Sequence, residues 1–375
     1  MKCVLVGYGY WGRNVLQTLL CPKGNAQFEK PDSSQHTPST PILAPYTQTP
    51  LAPAHFDIIG FYDSNLAQAQ AALEDYARLR TRQGQPKSAT PPRIYADFDS
   101  VCADSEVEAV FLITPPHTHF SLACQALESG KHCFVEKPLA TSSVQCAKLQ
   151  QYAADSAVVL HCDHIFLYAP AVQYLRAHIH ELGEILHISA RRANLGRFQR
   201  DVSVVWDLAL HDLAILDYVL GDAFRGARFF KAHVVEHAGF DAIADIYGDL
   251  GGIESSPKHD SHSFANIAIH ASWLSPIKVR SLFLSGSKAS ALYDEMNPAG
   301  KLAIFPYEYD LCDRAIDANG MSAPTMHNPV LDSHMSALEA SIADFALQIG
   351  AGRARQELSS HTLRVASVLE QISQA

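Results

Sequence analysis

The chain opens as a strand and turns at once onto a glycine-rich loop, Val4-Leu5-Val6-Gly7-Tyr8-Gly9-Tyr10-Trp11-Gly12. A helical pattern follows through Val15, Leu16, Leu19 and Leu20. A G-x-G-x-x-G between an apolar strand and a helix restricts the fold more than any other feature here. Gly7 permits the tight turn, Gly9 lets the backbone approach a pyrophosphate, and Gly12 lets the helix pack close to the strand. The helix N-terminus, at Tyr10 and Trp11, offers free N–H groups to phosphates. The loop therefore predicts a dinucleotide-binding domain. The alternative is a glycine turn that only closes a βα unit.

Composition narrows the class. At 375 residues the chain is long enough for two domains with their own cores. A net charge of −10 argues against nucleic acid or an anionic membrane surface as partner. No apolar run reaches the roughly 18 residues that a membrane span needs. With the first strand at the N-terminus, no signal peptide is expected. Eight cysteines occur without a C-x-x-C pair, which points to reduced thiols and a cytoplasmic protein. The 19 histidines include the pairs His117/His119, His161/His164 and His178/His180, none at a zinc-finger or H-E-x-x-H spacing, so no metal site is expected.

Strands and helices alternate through the first half. Strands are expected at 57–63, 107–114, 131–138 and 157–162, and helices at 64–76, 120–129 and 142–154. This is the signature of a doubly wound parallel sheet. Polar stretches at about 22–55 and 80–92 read as insertions into that α/β frame. The second half changes character. Helices are expected at 169–179 and 205–220, the latter stopped by Gly221. Strands follow at 184–192, with a loop around Asn194, and at 227–236, 263–273, 278–286 and 290–294. Closing helices are expected at 333–348 and 359–373. The chain thus divides into a dinucleotide domain at 1–162 and an α+β domain at 163–375 with a large, mostly antiparallel open sheet. The last helix is expected to return to the first domain.

Three places could carry chemistry. Asp63 ends the second strand, where an acid accepts hydrogen bonds from the adenosine ribose and repels a 2′-phosphate. Ser64 and Asn65 follow it with no cation nearby, so NAD is expected over NADP; Asp63 could equally cap the next helix. Lys137 lies at a strand's carboxyl end, where open α/β sheets place ligands, with Pro138 beside it. Its ammonium could stabilise an alkoxide, or simply pair with Glu136 on the surface. Asp207 and His211 share one side of a helix, so the acid could orient the imidazole as a general base; the bland reading is a surface contact.

Taken together, Gly7-x-Gly9-x-x-Gly12, Thr114-Pro115-Pro116-x-x-His119, Gly130-Lys-His-x-x-x-Glu136-Lys137-Pro138 and Asp207-x-x-x-His211-Asp212 resemble the Gfo/Idh/MocA oxidoreductases. The resemblance implies Lys137 and His211 as the catalytic pair, supported by Asp207. It adds Thr114, Pro115, His119 and Glu136 to the cofactor side. His164-x-Phe-x-Tyr168-x-Pro170, Asn194-Leu-Gly196 and Trp206-Asp-Leu-Ala-x-His211-Asp212 resemble the branch of UDP-N-acetylglucosaminuronic acid 3-dehydrogenase-type enzymes. That likeness implies a nucleotide-linked sugar, with Tyr168 and Asn194 on the substrate side. Arg191, Arg192, Arg197 and Arg200 surround the Asn194 loop, and Arg192 is the candidate anion contact. The expectation is an NAD(P)-dependent dehydrogenase acting on CH–OH groups and assembling as a homodimer or homotetramer. Free sugars, inositols and dihydrodiols are the alternative substrates, and a non-catalytic NAD-binding regulator or scaffold is the alternative of another class.

Overall fold

The computed structural model describes residues 1–22, 56–83, 91–196, 198, 201–237, 239–251, 265–307, 326–329, 331 and 335–374. Nearly all of the 22–55 insertion, and 84–90 of the second, lie outside these. In the first half β1 (Lys2–Val6), α1 (Tyr10–Leu20), β2 (Asp57–Tyr62), α2 (Leu66–Arg82), β3 (Arg93–Ile94), α3 (Phe98–Ala103), β4 (Ala109–Leu112), α4 (Pro116–Glu128), β5 (His132–Glu136), α5 (Ser143–Asp155) and β6 (Leu160–Asp163) alternate. The strands pair in parallel in the order β3-β2-β1-β4-β5-β6. The order reverses between β1 and β4, which opens a crevice at their carboxyl ends.

Successive residues of this sheet enter opposite cores, which is why its strands read as continuous apolar runs. Leu5, Phe111 and Phe134 pack with Val15, Leu16 and Tyr76 on one face. Val6, Leu112 and Val135 pack with Val101, Leu127 and Leu149 on the other. Helix α4 begins at Pro116 rather than near residue 120, because a proline at the first helical position has no N–H to lose.

The second half holds α6 (Pro170–His178), β7 (Ile185–Leu195), α7 (Leu210–Leu220), α8 (Asp222–Arg225), β8 (Arg228–His237), β9 (Phe240–Asp249), β10 (Asn266–Ser272), β11 (Leu274–Gly286), β12 (Ala289–Asp294), β13 (Leu302–Pro306), α9 (Ala337–Gly350) and α10 (Gln356–Gln374). Its sheet runs β13-β12-β11-β7-β10-β9-β8, antiparallel except for β7 beside β10. Strand β9 escapes the sequence reading because three of its four core-facing residues, Ala242, Ala244 and Gly248, are small with a weak apolar signal, leaving only Ile246 to mark that face. The expected loop at Asn194 is instead strand, since β7 pairs on to Leu195. The expected 205–220 helix starts as a π-turn, Val205–Ala209.

Both closing helices reach the first sheet, the earlier one more fully than the last. Leu338, Ile342 and Phe345 of α9 lie in the core of β1, β4 and β5. Helix α10 gives Val365, Leu369 and Ile372 to the second core and Ala366 to the first. Among the described residues no helix is long and apolar enough to cross a membrane.

Candidate active site

The glycine loop has the shape a pyrophosphate needs. Gly7 sits at φ +90°, and a Cβ on it would lie 2.4 Å from the Ile113 carbonyl oxygen. A Cβ on Gly12 would lie 2.5 Å from the Gly7 carbonyl oxygen, whereas Gly9 faces open space. Helix α1 starts with no side-chain cap and no acid in its first turn, so its first N–H groups are free for an anion. Tyr10 stands exposed beside them, and the Trp11 indole N–H is buried without a partner. These residues fit a dinucleotide.

Asp63 ties the loop to the end of β2. One carboxylate oxygen accepts from the Tyr8 N–H and the other from the Asn65 N–H, each at 2.8 Å. The cap of α2 is Asn65, not Asp63, which corrects the capping alternative. A carboxylate has about four lone-pair sites, so two backbone donors leave room for ribose hydroxyls.

On the other side of the switch point, Thr118 donates to the Thr114 hydroxyl at 2.7 Å, and Pro115 is exposed. His119 is fully buried, its ring nitrogens 2.7 Å from the Pro138 carbonyl and 2.8 Å from that of Thr114. Both nitrogens are occupied by backbone, so His119 braces the two loops rather than contacting a cofactor. That corrects its expected role. Burial is the main cause holding its pKa below the ordinary histidine value.

The exit of β5 carries the candidate reactive cluster. Lys137 precedes a cis proline, and its Nζ donates to the Asp207 carbonyl and to Asp207 Oδ1, both at 3.0 Å. Its ion partner is therefore Asp207 and not Glu136. Glu136 instead faces Asp163, its register partner on β6, and each carboxyl keeps one buried oxygen without a partner. Burial first, then Asp163, pushes the Glu136 carboxyl well above its usual range. Burial pushes Asp163 up to about 7, even though Ser341 donates to it at 2.7 Å.

Asp207 does not orient His211. Its second oxygen, Oδ2, accepts from the Trp273 indole N–H at 3.0 Å, so both oxygens face donors other than the imidazole. His211 packs edge-on against the Phe166 ring, centroids 4.8 Å apart. Burial, then the charges of Lys137, Arg192 and Arg280, hold it well below the ordinary histidine pKa. It is thus a neutral imidazole beside an ammonium.

The expected substrate residues are placed unevenly. Arg192 is 2% exposed and forks onto Asp212 at 2.9 and 3.0 Å, with its guanidinium over the Phe166 ring. It builds the wall behind His211 instead of presenting an open anion clamp. Tyr168 is buried and donates to Asp344 of α9 at 2.8 Å, which corrects its assignment to the substrate side. Asn194 is partly buried on β7; Arg197 and Arg200 lie outside the described residues. Sequence reasoning gave no role to Trp273, between β10 and β11, or to Arg280, within β11, and neither lies in a motif; Phe166 lies inside the His164-x-Phe-x-Tyr168 pattern but was assigned no role of its own.

A model of the oxidoreductase family with an NAD-binding Rossmann fold, GFO_IDH_MocA, matches residues 1–164. Over 157 residues the chain is 33% identical to the UDP-N-acetylglucosamine 3-dehydrogenase of Acidithiobacillus ferrooxidans, covering 42% of this chain and 44% of that one. The match thus spans less than half of the relative's length. Among solved structures, the UDP-N-acetylglucosamine 3-dehydrogenase GnnA from the same organism superposes with a TM-score of 0.67 at 21% identity, over 99% of this chain and 96% of that one. The 3-ketoreductase KijD10 from Actinomadura kijaniata, in complex with TDP-benzene and NADP, gives 0.71 at 15% identity, over 100% and 96%. These two likenesses show the shared fold.

Proposed function

We propose, from the membership of residues 1–164 in the GFO_IDH_MocA oxidoreductase family, that this chain is an NAD-dependent dehydrogenase of a nucleotide-linked sugar, acting on the secondary alcohol at C3. The observation that carries this reading is the meeting of Lys137, Asp207 and His211 at the carboxyl edge of the parallel sheet, next to a phosphate-ready glycine loop. The relative named a UDP-N-acetylglucosamine 3-dehydrogenase and the 3-ketoreductase solved with TDP-benzene favour that substrate class. Asp63, with no cation at positions 64 and 65, favours NAD.

Nicotinamide supplies the hydride acceptor when bound; the chain supplies the rest. Gly7, Gly9, Gly12 and the N-terminus of α1 hold the pyrophosphate, and Asp63 takes the ribose hydroxyls. His211, kept neutral, accepts the proton of the reacting hydroxyl at a ring nitrogen. Lys137 spends two donor contacts on Asp207 and keeps ammonium N–H capacity for the developing oxyanion. In the reverse direction His211 returns the proton to a keto oxygen that Lys137 polarises.

The test is a panel of nucleotide sugars, free aldoses and inositols, each with NAD and with NADP, followed by reduced-nicotinamide absorbance. Turnover confined to nucleotide sugars, with a C3 ketone in the product, supports the reading. Preference for inositol or a free aldose overturns the substrate, and cofactor binding without reduction by any member supports a non-catalytic role.

A further inference from the structure

Asp207 sits four residues before His211, and a free carboxylate there would compete for the imidazole. It is prevented from doing so by two donors on different oxygens from different parts of the molecule. Lys137 comes from the exit of β5 and Trp273 from the link between β10 and β11. The indole is the rigid member of the pair. Trp273 is 1% exposed, its backbone N–H donates to the Ala242 carbonyl at 2.9 Å, and its backbone carbonyl accepts from the Gly196 N–H at 3.3 Å. Phe198 closes on the ring edge-to-face at 5.8 Å. A side chain locked in this way presents Nε1 in one direction only. The lysine stem, by contrast, has four flexible bonds.

We infer that Trp273 is a positioning residue: its indole N–H holds Asp207 Oδ2, which aims Oδ1 and the backbone carbonyl at Lys137 and keeps the carboxylate off His211. The inference rests on the dehydrogenase reading for its kinetic consequences, but the clamp itself does not. Removing the indole N–H strands a partly buried carboxylate oxygen, which turns toward another donor and takes Lys137 with it. Lys137 then meets the oxyanion off-geometry, a displacement that costs turnover more than binding.

Two replacements separate the N–H from the ring. Trp273→Phe removes donor and volume; benzothienylalanine at 273 keeps the ring shape and removes only the donor. Both are expected to lower kcat by about 10- to 100-fold, with KM and cofactor Kd within about 3-fold. In an Asp207→Ala background either replacement should cost almost nothing further, since the residue acts through that carboxylate. Unchanged kcat in the benzothienylalanine protein overturns the inference. So does a full loss that persists without Asp207, which would mark a packing role. If no alcohol is turned over by the unmodified protein, the functional reading fails and the clamp is still tested. The Trp273 indole resonance in a ¹H–¹⁵N spectrum, identified by its loss in Trp273→Phe, should move in Asp207→Ala, and an unmoved resonance refutes the clamp.

Discussion

At the residue scale the proposed site sets the buried His211 imidazole near the Lys137 cation. His211 is held below the ordinary histidine value by burial and by Lys137, Arg192 and Arg280. A base works when deprotonated, so lowering its pKa extends activity downward in pH. The acid limb of kcat/KM for alcohol oxidation is expected below about pH 6.5, the ordinary histidine value; a limb above that value would mean another group is the base. Lys137→Ala and His211→Ala should each cut kcat by roughly 10²- to 10⁴-fold, as expected for lost acid–base or oxyanion help. Cofactor affinity, followed by fluorescence titration, should change by no more than about 3-fold. Near-normal turnover in His211→Ala would remove it from the chemistry. Both residues were singled out in the chain by local patterns, a strand-end lysine before proline and an i,i+4 Asp–His spacing, and by the family resemblance that implies a role for them. The partner of Asp207 was not, because Trp273 lies 66 positions away and is brought there only by the second sheet.

At the element scale, the turn from β1 to α1 depends on two missing Cβ atoms. Gly12→Ala would place a methyl 2.5 Å from the Gly7 carbonyl oxygen, so α1 must back away from the loop. Dinucleotide affinity should fall by about 10-fold or more, a loss of at least roughly 1.4 kcal/mol; calorimetric titration checks it. The adjacent ends of β5 and β6 make a second prediction. Asp163 has its pKa raised to about 7 by burial, against about 3.9 in an unfolded chain. Between these values the folded state keeps a proton that the unfolded chain has lost. The stabilisation is therefore full at low pH and disappears as pH rises through about 7. Asp163→Asn stays neutral throughout, so its melting temperature relative to the parent should improve from about pH 5 to about pH 8.5. A difference that does not change with pH would show that Asp163 carries its charge at no cost. Neither the Glu136–Asp163 register nor the π-turn at 205–209 is visible in one strand or helix read alone, since each is a relation between neighbours.

At the scale of the whole molecule, the C-terminal helices bind the two halves together. Phe345 of α9 has no exposed surface and touches Phe56, just before β2, and Phe111 and Phe134 of the first sheet at centroid distances of 5.7, 5.8 and 5.7 Å. Phe345→Ala should cost about 3–5 kcal/mol, the usual penalty for emptying an aromatic site in a core. Thermal unfolding should then show the first domain losing stability although the substitution lies far along the chain. Unfolding that leaves this domain untouched would mean that α9 is not part of its core.

The sequence alone determined the parallel sheet, its glycine loop and the mostly antiparallel second sheet, and it singled out Lys137, Asp207 and His211 as candidates. These are set by short-range patterns: apolar runs, glycine spacing, and residues at strand ends or on one helix face. The tertiary structure decided how the chemistry is wired. It gave Asp207 to Lys137 and Trp273 instead of His211, engaged Arg192 with Asp212, and withdrew Tyr168 and His119 into internal hydrogen bonds. Each of those choices depends on which donor is nearest once two sheets close on one another, and distance in space is not written in spacing along the chain.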